Sequence, residues 1–86
     1  MHEFSVALEV CRMAEEKLGA DTVERLRVVG LLVGDDSGFE PDNLTFCLDA
    51  LLTQPPFGAA KTALERCPGD VLRVDYFEVD DGNPDN

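Results

Sequence analysis

Histidine occurs once in these 86 residues, at position 2. A Ser-His-Asp or Cys-His nucleophilic arrangement is therefore not expected, because the single imidazole stands at a terminus. Basic residues are also few: seven Lys and Arg against 18 Asp and Glu, for a net charge of −11. That balance argues against nucleic acid as a partner, since phosphate neutralisation needs Lys and Arg, and against an anionic membrane surface. No run of about 18 apolar residues exists, so no membrane-spanning helix is expected. The amino terminus has no basic segment followed by an unbroken apolar run; no signal peptide is evident, and a cytoplasmic location is expected. Cysteine is present three times, at Cys11, Cys47 and Cys67, with no Cys-x-x-Cys. A structural zinc site of the usual kind is not expected within one chain, and free thiols are the default.

What remains is an ordinary globular composition. The hydrophobic fraction of 44% is too high for a disordered chain. The length fits one small domain that buries roughly 60–65% of its unfolded surface. The acidic excess fits solvated faces, an acidic tail, or a basic partner.

The pattern predicts five elements in the order α-β-α-β-β. Phe4, Ala7, Leu8, Cys11, Ala14 and Leu18 recur at helical spacing, with Ser5 as N-cap and Gly19 as the stop, giving a helix over about 4–18. Val23 to Val33 alternates at first and then becomes apolar on both sides, as a strand buried on both faces does. Gly34 to Gly38 reads as a loop. Pro41 opens a second helix over about 41–53, with Leu44, Cys47, Leu48 and Leu51 on its apolar face. Ala59 to Arg66 and Val71 to Asp80 read as strands flanking a Cys67-Pro68-Gly69-Asp70 turn, and an antiparallel hairpin is expected from them. In the last strand Leu72, Val74 and Tyr76 share one face. Residues 81–86 read as an acidic disordered tail. The fold class predicted is α/β (α+β): a two-layer sandwich in which two helices cover one face of a three-stranded sheet. If the first two strands are parallel, their crossover is right-handed.

Few motifs carry chemistry. No acid, base or nucleophile pair can be named, so an enzyme is not expected. Gly30 and Gly34 lack the Gly-Lys-Ser/Thr of a phosphate loop; Gly30 marks close packing by a helix, or a bulge. Asp35, Asp36 and Glu40 lack the ligand spacing of a calcium loop. Met1-His2-Glu3 is different. The Met1 amine, the His2 backbone nitrogen and the His2 imidazole Nδ1 can close a five-membered and a six-membered ring on one metal. A planar nitrogen set suits Ni(II) or Cu(II) better than Zn(II). Met1 should stay in place, because its removal favours small second residues. Against this stands the ordinary fate of a terminal histidine, a solvated side chain on a frayed end.

The order of segments adds to this. Met1-His2-Glu3 precedes a helix. A strand ending in Val29-Gly30-Leu31-Leu32-Val33-Gly34 follows, then a Ser37-Gly38 loop leading into Pro41-Asp42-Asn43-Leu44-Thr45-Phe46. Leu72-Arg73-Val74 and Glu78-Val79 close the chain. The whole order, over about residues 1–80, resembles the nickel-binding domain of the HypA/HybF family of hydrogenase nickel-incorporation proteins. The resemblance implies a nickel-binding metallochaperone, with Ni²⁺ held at Met1 and His2, and Glu3 giving a backbone nitrogen or an adjacent carboxylate. It implies transfer to a hydrogenase maturation GTPase or to the hydrogenase large subunit. Family members insert a zinc domain between the last two strands. Here only the Cys67–Asp70 turn stands at that place, so a minimal form without zinc is expected. The alternative is an interaction module that kept the fold and docks on a maturation partner or a full-length relative. An open strand edge could also support a homo-oligomer.

Overall fold

The computed structural model describes residues 2–80. Helix α1 spans Glu3–Leu18, a short 3-10 turn Val23–Arg25, strand β1 Leu26–Gly34, helix α2 Pro41–Leu51, strand β2 Lys61–Cys67 and strand β3 Leu72–Val79. Two helices lie on a three-stranded mixed sheet, the α-β-α-β-β order read from the sequence. The predicted tail, 81–86, lies outside the described residues.

Sheet connectivity departs from the sequence reading. The strand order is β2-β1-β3, so β2 and β3 are not neighbours and form no hairpin. β1 pairs in parallel with β2, Val28 opposite Lys61 to Gly34 opposite Cys67, and antiparallel with β3. The physical reason lies in β1 itself. It is the most apolar of the three strands, and the central place is the one covered on both edges. The segment after Cys67 therefore crosses the end of β1 instead of turning back on β2. Gly34 N–H donates to the Val71 carbonyl (2.6 Å), Asp35 N–H to the Cys67 carbonyl (2.7 Å) and Asp36 N–H to the Gly69 carbonyl (2.9 Å). Gly69 takes φ 91°, as the third position of a type II turn requires.

Leu26, Val29, Leu31 and Val33 face the helices and meet Ala7, Ala14, Leu44, Leu48 and Leu52 in one core. Leu26 and Val29 can both face inward because the β1–β3 register shifts between Leu26 and Val28. A second shift lies between Gly30 and Leu31, and it corrects the reading of β3. Leu72 and Val74 pack against the core, but Phe77 takes the next inward place and Tyr76 turns to the other face, 45% exposed. Gly30 is close-packed by the Tyr76 ring and not by a helix, and the shift beside it is the bulge that its place in the strand also suggested. The first residues of the predicted strand, Val23–Arg25, form the 3-10 turn, with Val23 buried.

Candidate metal centre

The predicted N-cap, Ser5, lies inside α1; the helix starts at Glu3 and His2 occupies the cap. The first turn is closed by Val6 N–H donating to the His2 carbonyl at 3.0 Å. His2 makes no side-chain capping bond and is exposed. Its imidazole is therefore presented at the head of the helix. Met1 lies outside the described residues. At a helix start the first N–H groups have no carbonyl four residues earlier to bond. A metal taking backbone nitrogen from residues 2 and 3 therefore removes no helical hydrogen bond.

Glu3 behaves in the opposite way to His2. It is 2% exposed, the one charged residue buried among those described. Its Oε2 accepts the Glu40 backbone N–H at 3.0 Å, and its Oε1 accepts from Asn43 Nδ2 at 3.1 Å. The Glu40 N–H, with its own N–H and Asn43 adding, holds the carboxyl below the usual carboxylate range, against the opposing effect of burial. A buried carboxylate with several N–H donors stays ionised in this way. Glu40 in turn caps α2, its Oε1 accepting from the N–H groups of Asp42 (2.9 Å) and Asn43 (3.4 Å). The starts of α1 and α2 are thus tied through one carboxylate.

Glu40 and Asn43 belong to the structure of this site, and the sequence reading missed both in that role. They lie 37 and 40 residues from Glu3, so no local spacing could reveal the pairing. A partial signal existed in Glu40-Pro41, since Pro at the first turn marks the residue before it as the cap. Two surface grooves, of about 380 and 400 Å³, lie along α1 and β3 and beside the start of α2; His2 lines neither. Cys11 is buried, while Cys47 and Cys67 are half-buried. Among the described residues no three His, Cys, Asp or Glu side chains gather as a metal-binding group.

Fold and site together define a small two-layer α+β domain with a candidate chelate at the exposed head of its first helix. The family model described as hydrogenase/urease nickel incorporation, metallochaperone, hypA, matches residues 1–72. The hydrogenase maturation factor HypA of Geobacter metallireducens is 35% identical over 69 residues, covering 80% of this chain and 60% of that protein. The HypA of Chlorobaculum parvum is 33% identical over 67 residues, 78% of this chain and 59% of its own length. That of Streptomyces avermitilis is 37% identical over 70 residues, 80% and 53%. The chain belongs to the HypA family. It spans 60% and 59% of the first two relatives.

Proposed function

We propose that this chain is a nickel metallochaperone of hydrogenase maturation, a minimal form without the zinc domain, that carries Ni²⁺ as cargo at its amino terminus. The Met1 amine, the backbone nitrogen of His2 and the His2 imidazole are the ligands. Glu3 contributes a backbone nitrogen, while its carboxylate fixes the head of α1 against α2 from beneath. The observation that carries this reading is the contrast between neighbours. His2 is exposed and uncommitted to capping, while Glu3 is buried and bonded to Glu40 and Asn43. A planar nitrogen set favours Ni(II) over Zn(II). The ligands bind as free bases, so affinity falls as the pH drops.

A cargo site of this kind is open, and openness serves transfer to a receiver. The receiver is a maturation GTPase or the hydrogenase large subunit, in the cytoplasm. No zinc is part of the reading, because the connection between β2 and β3 is short and no Cys-x-x-Cys occurs. No catalytic role is assigned. No helix among the described residues is long and apolar enough to cross a membrane.

Calorimetric titration of Ni²⁺ into the untagged chain tests the proposal, with His2→Ala in parallel. One-to-one binding lost in the variant supports it. Equal affinity in both proteins overturns the site.

A further inference from the structure

Both helices pack on one face of the sheet, and the other face carries no element among the described residues. β1 turns Val28, Gly30 and Leu32 to that open side, alternating with the core residues Val29, Leu31 and Val33. Ala63 on β2 and Tyr76 on β3 flank Gly30. These five residues make an apolar centre three strands wide. None of them packs against the helix-side core apart from the backbone of β1 itself.

The charges around this centre have a pattern. Val28 has Lys61 on one side and Glu78 on the other. Leu32 has Glu65 on the side of Lys61 and Arg73 on the side of Glu78. All four are exposed. The corners therefore alternate in sign: positive and negative at one end of the face, negative and positive at the other.

An alternating square has a geometric property. When two copies meet face to face about a two-fold axis along the strands, Lys61 of one copy faces Glu78 of the other, and Glu65 faces Arg73. When the axis runs across the strands, Lys61 faces Glu65 and Arg73 faces Glu78. Every corner meets its opposite charge in both cases. Either axis also keeps the two sets of strands aligned, the common way in which sheets stack. From this complementarity we infer that the open sheet face is a self-association surface, and that its occupant is a second copy of this chain.

Magnitudes set the strength. Three strands about 4.8 Å apart and seven paired positions of about 3.3 Å give a footprint of roughly 330 Å² per copy. Two copies bury roughly 700 Å² by that measure, below the range of about 1,200–2,000 Å² for stable complexes. The dimer is consequently weak and exchanges rapidly. Asp75 stands 3.9 Å from Arg73 within the chain, an exposed pair that contributes little and leaves the guanidinium open to a second carboxylate. The net charge of −11 opposes association further, which is why the local pattern must carry it.

Sedimentation velocity of the full chain, from about 10 μM to about 1 mM at about 0.15 M salt, reads this directly, because screening there limits the long-range repulsion. The weight-average sedimentation coefficient of the native chain should rise with concentration. Lys61→Glu should weaken association at least about tenfold, since a charge reversal places like charges face to face. Adding Glu65→Lys to it should restore association if the axis runs across the strands; adding Glu78→Lys should restore it if the axis runs along them. Far-UV circular dichroism confirms that each variant is folded. A native chain that stays monomeric throughout, a Lys61→Glu variant that associates unchanged, or failure of both double variants overturns the inference.

Discussion

Replacing Gly34 by Ala should be among the most damaging single-methyl changes available in this chain. Gly34 ends β1 where the Cys67–Val71 connection crosses it. A Cβ there would stand 2.6 Å from the Val71 backbone nitrogen and against the Gly69 carbonyl oxygen. Backbone cannot step aside as a side chain can, so the crossing must lift. Three backbone hydrogen bonds, from Gly34, Asp35 and Asp36 to Val71, Cys67 and Gly69, depend on that approach. At about 0.5–1.5 kcal/mol net for each bond, their loss costs about 3 kcal/mol. A domain of this length has about 4–13 kcal/mol in total, so the variant keeps its fold with a much reduced margin. The melting temperature should drop by about 12–24 °C. Gly30→Ala is the control. The three atoms nearest its Cβ all belong to the Tyr76 ring, which is half-exposed and can swing outward, at a cost of about 1 kcal/mol. Urea unfolding of the two variants separates the cases. A Gly34→Ala cost below about 1 kcal/mol, or no greater than that of Gly30→Ala, refutes the backbone argument.

Three further outcomes are expected. Leu48→Ala in the fully buried core should cost about 2–5 kcal/mol in urea unfolding, whereas Phe46→Ala, 73% exposed, should stay within about 0.5 kcal/mol. The bonds from Glu40 and Asn43 hold the Glu3 carboxyl below its unfolded value, so its contribution is fully present above about pH 4.5 and is lost as the pH falls below that. Glu3→Gln should flatten the acid limb of the stability curve in that window, and an unchanged limb would contradict the clamp. Burial, with the Glu15 charge adding, pushes the Cys11 thiol up to about 11, so a thiol reagent should titrate two cysteines quickly in the native protein and the third only on unfolding.

Helices, strands and their order were legible in the sequence because each has its own apolar period. Val29 to Val33 announced a buried strand, and Pro41 a helix start. What periodicity does not carry is which strand neighbours which. The Cys67–Asp70 turn has the chemistry of a hairpin, and only the claim of β1 on the central place sends the chain across to the far edge. Gly30 signalled a bulge, but its consequence in β3, the exchange of Tyr76 for Phe77 on the inward face, was hidden for a similar reason. It depends on the match with Gly30 in another strand. At the candidate site, the proposed Met1-His2 chelate rests on adjacent residues and so needs no knowledge of the fold. The partnership of Glu3 with Glu40 and Asn43 was not legible, because it joins residues brought together only by the packing of α1 on α2.

The most direct test of the account is the stoichiometry and colour of nickel on the untagged chain. Calorimetry and absorbance are followed together for the native protein, for His2→Ala, and for a chain whose amino terminus is acetylated. The account predicts one Ni²⁺ per chain with a planar absorbance band, lost in both altered proteins, because each lacks one nitrogen of the chelate. Nickel bound with the same affinity and band after acetylation would contradict it.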